Sequence, residues 1–323
     1  MKKFFMAVIA FMMTISASAQ FYIYYSDGTV AKVDSISMIA PEESEDSTPS
    51  AGIGVFSVSD SKQVTFSKGN LQYTQSTDTW SFASTQYEII GIDNLIGDSV
   101  SFTDYGDRKD AGTALADKID LFGVSTSTNY FGANISNNNA DYSGSFVDWG
   151  TNQIDNDAPN TWRTLTLDEW DYLFNSRANA SELFGIAQVN GINGLILLPD
   201  NWVCPDGLIF KSGGVAYRDC EGADCYAGYQ TFTTEQWSKL ETEGAVFLPA
   251  AGHRDGSVSY NSGIEVCYWS STNNYSSAYV FDYTINPNIE GRFHLMGYPI
   301  RPISGVSVVT TPTVKTDQVT SET

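Results

Sequence analysis

The chain has 323 residues, with 38 Asp and Glu against 17 Lys and Arg, giving a formal net charge of −21. Such a surface repels nucleic-acid phosphates and anionic lipid headgroups, so neither is an expected partner. Hydrophobic residues make up 42% of the chain, enough for a packed core, which excludes wholesale disorder.

The first residues, "MKKFFMAVIAFMMTISASAQ", run from Lys2 and Lys3 through an apolar stretch to small residues at Ala17 and Ala19. This order predicts a cleavable signal peptide over 1–19, with an uncleaved anchor as the alternative. The apolar run is too short to span a bilayer. No cysteine follows it, so no lipid anchor is signalled. The mature chain is expected outside the cytoplasm, secreted, periplasmic or at the cell surface, with no membrane insertion after cleavage.

Residues 20–38 alternate about Asp27-Gly28 and predict a β-hairpin. The acidic Ser/Pro segment 39–51 has almost nothing to bury and reads as a linker. Residues 52–304 form the expected domain, and the Thr-rich stretch 305–323 reads as a tail without fixed structure.

Within the domain, "KQVTFSKGNLQYTQSTDTWSFAS" predicts three short strands separated by Lys-Gly-Asn and Ser-Thr-Asp turns. "DNDAPN" follows from Asp155. Asp155 and Asp157 offer closely spaced oxygens suited to a structural calcium ion, and Asx-Pro turn chemistry explains the stretch equally. No other cofactor is signalled.

Two helices are expected. In "RTLTLDEWDYLFNSR", Thr166 and Glu169 form a capping box, and Trp170, Leu173 and Phe174 share one face. "FTTEQWSKLETEG" repeats the pattern with Thr233, Gln236, Trp237 and Leu240, ending near Gly244. An apolar strand follows each, "NGLILLPDNW" and "GAVFLPAAG". Few helices among many short strands predict an α+β fold with long loops.

Four cysteines in an exported chain suggest two disulfides, with three possible pairings. Cys220 and Cys225 bracket a short loop and are expected to pair, leaving Cys204 with Cys267; free thiols are the alternative. Their spacing does not suit zinc.

Candidate catalysis is thin. The two histidines are His253, in a loop after an apolar strand, and His294. No G-x-S-x-G elbow precedes a helix. The 38 acids supply too many carboxylate pairs for any one to signal a glycosidase. No catalytic residue is assigned.

The segment from Tyr268 to Tyr298 is different. It carries eight aromatic residues and ten Ser, Thr or Asn, with few ionisable groups. Similar mixtures recur in antibody paratopes, and aromatic faces also stack on sugars. Strand alternation allows one side to be core. Trp269 and Phe281 are expected inside, with Asn273, Asn274, Tyr275, Tyr283, Asn286, Asn288, Arg292 and His294 facing a ligand.

"RTLTLDEWDY" is similar to the R-L-P-T-E-A-E-W-E-Y helix entry of formylglycine-generating-enzyme-like proteins. Arg163, Thr166, Glu169, Trp170 and Tyr172 match, while Asp171 replaces a Glu. The ordered set "KGNLQY", "WRTLTLDEWDYLFNSR", "NGLILLPDNW", "GAVFLPAAGHR", "YWSST" and "GYPIRPI" resembles the Fibrobacter succinogenes major paralogous domain of exported Bacteroidetes-type proteins. The resemblance covers about 52–304. It implies a C-type-lectin-like fold whose loops and short terminal sheet carry a ligand surface. No cysteine follows Cys267, so the oxidising activity of the formylglycine-generating enzymes is not implied, and the lectin calcium signature is not evident. The expected function is a non-enzymatic exported binding module for a glycan or surface protein. The alternatives are an enzyme of that superfamily or a glycan hydrolase with an altered site, and a structural subunit of a surface assembly.

Overall fold

The computed structural model describes residues 21–24, 30–33, 54–90, 100–101, 118–214, 230–256, 258–273, 278–283 and 287–306. Side chains are excepted for 21–24, 30–33, 100, 101, 258, 278, 281, 283 and 287. The chain divides into two units, 1–49 and 50–323. In the first, β1 (Phe21–Tyr24) and β2 (Val30–Val33) pair antiparallel, Phe21 opposite Val33 and Tyr24 opposite Val30. The expected signal peptide, Asp27-Gly28 turn, 39–51 linker and the tail beyond 306 lie outside the described residues.

The second unit is a mixed α+β fold in which strands far outnumber helices. Its three predicted short strands form as β4 (Lys62–Phe66), β5 (Leu71–Thr74) and β6 (Thr79–Phe82). They belong to two sheets. β4 lies between β3 (Phe56–Ser59) and β18 (Ile303–Gly305), and β5 lies between β6 and β8 (Lys118–Ile119). Pairing β18 with β4 brings the last strand of this unit beside one of its first. A further strand, β7 (Val100–Ser101), joins β13 (His253–Asp255) and β14 (Val258–Tyr260).

Both helices start where their local chemistry directs. The Thr166 hydroxyl accepts from the Glu169 N–H, and Glu169 returns an acceptor to the Thr166 N–H, opening α1 (Leu167–Asp171). Such a cap contributes about 1 kcal/mol. Arg163 grips the same carboxylate with two hydrogen bonds of 2.6 and 2.7 Å. Burial opposes ionisation of Glu169, but the Arg163 and Thr166 hydrogen bonds prevail and hold its pKa below the ordinary value. The chain then continues through a wider, π-helical turn over Tyr172–Ser176. Trp170, Leu173 and Phe174 are all buried. A second capping box, Thr233 with Gln236, opens α2 (Thr234–Thr242). It stops at Gly244, whose φ of 88° is a left-handed conformation suited to glycine.

The central sheet has the order β11-β9-β10-β12, from Gln230–Phe232, Phe184–Val189, Ile192–Leu197 and Val246–Pro249. Only the β11–β9 pairing is parallel. One face, with Ile186, Leu195, Leu197 and Leu248, packs on the α1 tryptophan Trp170. The other, with Ala187, Val189, Ile196 and Phe247, packs on Trp237 and Leu240 of α2. Burial on both faces is why these strands read as continuous apolar runs rather than alternating ones. A third cluster gathers Trp80, Phe122, Trp149, Trp269 and Tyr298. A buried Trp contributes up to about 5 kcal/mol by area, an upper bound.

Irregular chain between these elements is fastened by buried arginines. Arg254 is wholly buried and donates to the carbonyls of Leu121, Gly132 and Asn134 at 2.8–2.9 Å. Arg301 does the same for Ser67 and Gln86 and ties them to the Phe247 carbonyl of β12, and Arg177 does it for Leu183 and Leu198. Five planar donors on one side chain suit this task, because loop carbonyls lack a regular partner.

Candidate functional site

The aromatic and polar segment folds as a three-stranded antiparallel sheet, β15 (Cys267–Asn273), β16 (Ala278–Tyr283) and β17 (Pro287–Arg292). Cys267 lies opposite Asp282, which lies opposite Asn288; Trp269 lies opposite Val280, which lies opposite Glu290. Ala278 pairs with Arg292. Side chains alternate along each strand, so Cys267, Trp269, Val280, Asp282, Asn288, Glu290 and Arg292 share one face. Its β15 end is core and its β17 end reaches the surface.

Trp269 is the buried anchor expected from the sequence. Its indole N–H donates to the Phe122 carbonyl at 2.5 Å, and its ring meets Tyr298 edge-on at 5.0 Å. On the opposite face, Tyr268 accepts from Asn70 Nδ2 and donates to the Pro249 carbonyl. Beyond Trp269 the register slips, and Thr272 Oγ1 accepts from the Leu167 N–H, tying the strand to the start of α1.

Two residues expected to face a ligand are turned inward. His294 is buried, its Nε2 has no hydrogen-bond partner among the described residues, and its carbonyl accepts from the Val124 N–H. It follows the end of β17, where the chain turns back under the fold. Arg292 is drawn in by charge: Nε donates to the Tyr298 hydroxyl and Nη2 to Asp282 Oδ2, both at 2.9 Å, while Nη1 pairs with Glu290. Desolvation works against the guanidinium, but Tyr298, Cys267 and Glu290 more than compensate and raise its pKa. Burial, with Asp282 and Glu265 nearby, pushes the Cys267 thiol well up, which leaves it protonated and unreactive.

Asn288 is exposed, with Nδ2 at 3.5 Å from Glu290 Oε1, and Asn273 is half-buried. Asn274, Tyr275 and Asn286 lie outside the described residues, as do the side chains of Phe281 and Tyr283. Sequence reasoning passed over Phe293, which is 67% exposed just after β17. The signal was available: an aromatic following Arg292, one residue out of step with the inward face.

Nearby, His253 Nδ1 lies 2.8 Å from Glu265 Oε2, and its ring stacks on Tyr260. Glu265 Oε1 accepts from Asn261 Nδ2 at 2.7 Å. These contacts fix the loop after β14; His253 itself opens β13, opposite Tyr260, and is not a loop residue.

The Cys204–Cys267 bridge does not form. Both thiols are free; Cys204 donates to the Leu208 carbonyl, while Cys267 is sealed in the core beside Asp282. Cys220 and Cys225 lie outside the described residues. At the calcium candidate, Asp155 is paired with Lys68 at 3.0 Å, and Asp157 accepts from the Trp162 indole N–H at 2.8 Å. Each carboxylate thus has a side-chain partner, and among the described residues no group of three or more His, Cys, Asp or Glu is placed to hold a metal ion.

No protein-family model matches the chain, and no curated protein or solved structure matches it.

Proposed function

We propose that the chain is an exported, non-enzymatic binding module whose α+β unit is a C-type-lectin-like domain. The outer edge of β15–β17, with Phe293 beside it, contacts a glycan or a surface protein. The observation carrying this reading is the contrast within one short segment. Trp269 and Asp282 are committed to the core and half-buried Arg292 folds back onto Asp282, while Asn288 and Phe293 are held outward with no packing duty. An exposed amide near the start of β17 and an exposed aromatic just past its end, on a strand braced from behind, give a preorganised rim. The order of elements supports the lectin-like architecture: capped helix, apolar strand, capped helix, apolar strand, terminal sheet, and a last strand returning beside one of the first.

The test is a screen of the purified chain against immobilised glycans and surface proteins, repeated with the Asn288→Ala, Phe293→Ala double variant. Captured binding should weaken tenfold or more, about 1.4 kcal/mol. Unchanged affinity for every captured ligand would remove this edge as the site.

A further inference from the structure

A second aromatic is presented elsewhere, on a left-handed backbone that its own side chain does not explain. Tyr130, Phe131 and Gly132 all have positive φ, at 53°, 56° and 76°. Left-handed backbone is costly for a side chain bearing a Cβ and is usually met at single residues, with Gly, Asn or Asp preferred. Gly132 explains itself, since a Cβ there would strike the Gly123 carbonyl. Phe131 also has a packing reason, its ring meeting Trp80 edge-on at 5.8 Å. Tyr130 has neither excuse: its side chain is 73% exposed.

The surroundings force the turn. Asn129 Oδ1 accepts from the N–H groups of Thr126 and Gly132, both at 2.9 Å, while its Nδ2 donates to the Val124 carbonyl. The Trp149 indole N–H donates to the Phe131 carbonyl at 2.7 Å, and Arg254 Nη2 to the Gly132 carbonyl at 2.9 Å. Strain so firmly over-determined, ending in an exposed large ring, points to function.

The neighbours indicate the ligand. The Tyr73 hydroxyl donates to Asp78 Oδ1 at 2.9 Å. The Trp80 ring packs on Tyr73, with centroids 4.7 Å apart, and on Phe131 at 5.8 Å, so the turn carrying Tyr130 lies beside the Tyr73–Asp78 pair. Asp78 itself is exposed, on a β5–β6 turn whose Thr77 and Thr79 are also exposed. Ser127 and Thr128 precede the Tyr130 turn and are exposed too. One aromatic ring among hydroxyls and a carboxylate lacks the apolar area of a protein interface, which needs about 800 Å² per partner. It suits a sugar ring, whose C–H face stacks on Tyr130 while its hydroxyls meet Asp78. The carboxylate and the net charge of −21 oppose anionic sugars.

We propose that Tyr130, held out by its left-handed turn, and Asp78 form a binding site for a neutral glycan, carried by different elements from the β15–β17 edge. The test is affinity electrophoresis of the full chain through gels containing laminarin, soluble starch, arabinoxylan or mannan, with polygalacturonate as the anionic control. The wild type should be retarded by at least one neutral polysaccharide and not by polygalacturonate. Tyr130→Asn should weaken that binding tenfold or more while keeping or raising the melting temperature, because Asn accepts the left-handed backbone. Tyr130→Phe should retain it, and Asp78→Asn should weaken it severalfold. Retardation by none of the neutral polysaccharides, or undiminished binding by Tyr130→Asn, would overturn the proposal. Loss of binding in the Asn288→Ala, Phe293→Ala variant but not in Tyr130→Asn would also overturn it, leaving the sheet-edge reading standing.

Discussion

β15 and β17 belong to one sheet and share a face, yet their side chains meet opposite fates. On β15 that face carries Cys267 and Trp269 into the core; on β17 it carries Asn288 to solvent. Burial therefore changes across the sheet, strand by strand, and not simply from one side of it to the other. β16 is the boundary, with Val280 and Asp282 still buried. Arg292 marks the same boundary from outside: it starts on the exposed strand and reaches back to Asp282 and Tyr298. A sheet edge built this way offers a rigid rim without exposing its hydrophobic interior.

The largest expected effect lies at the β15 end. Trp269→Ala removes a fully buried indole and leaves the Phe122 carbonyl without its donor. Such truncations cost about 3–5 kcal/mol. Thermal unfolding followed by circular dichroism should show a fall of roughly 10 °C for a unit of this size. A silent Trp269→Ala would erase the distinction between the two strands.

The boundary comes next. Arg292→Met keeps the aliphatic length but takes the guanidinium away from the buried Asp282 carboxylate, a change that costs about 2–4 kcal/mol. Asp282→Asn in the same chain should recover part of that loss, since the buried charge that Arg292 faced is then gone. Urea unfolding of the two single variants and the double variant gives the coupling directly. Additive losses would mean that Arg292 is merely a surface residue.

Asp120 sharpens the comparison by supplying a second buried aspartate in a different setting. Asp282 faces a guanidinium, whereas Asp120 Oδ2 accepts from the Ile90 N–H at 2.8 Å. Burial holds the Asp120 carboxyl well above the ordinary carboxylate range. The native state therefore binds the proton more tightly than the unfolded chain, whose aspartate titrates near about 3.9. Stability from this group is complete below that pH and is lost as pH rises through the folded value. Asp120→Asn should be close to neutral at pH 4 and increasingly favourable toward pH 8, as read from urea midpoints. A constant difference across that range would show that Asp120 does not titrate.

Much of the fold was legible because its signals are local. Thr166 with Glu169 and Thr233 with Gln236 fixed both helix starts, and the two apolar runs fixed β10 and β12. The orientation of the candidate site was not legible in the same way. Alternation within β17 cannot say where the sheet passes from core to rim, which depends on pairing Asp282 with Asn288 and Ala278 with Arg292. Nor can it foresee that Arg292 folds back onto Tyr298, or that His294 is covered where the chain turns toward Val124. The cysteine count misled for a similar reason. Parity treats four thiols alike, whereas Cys267 sits inside a strand on the core-facing side. Tyr130 was hidden too, because its left-handed turn depends on Asn129, Trp149 and Arg254 converging from different parts of the chain.

The smallest expected effect on stability lies at the rim, just past the exposed strand. Phe293 is large and apolar, and by composition alone its loss should hurt as much as that of a core aromatic. Its exposure argues otherwise, because a ring that remains in water after folding gains little from burial. Phe293→Ser should therefore change stability by no more than about 0.5 kcal/mol, the usual range for surface positions. Differential scanning calorimetry should place its melting temperature within about 2 °C of the wild type. A loss as large as that of Trp269→Ala would mean that Phe293 is covered in the folded protein, and that the exposed rim belongs to the packed interior.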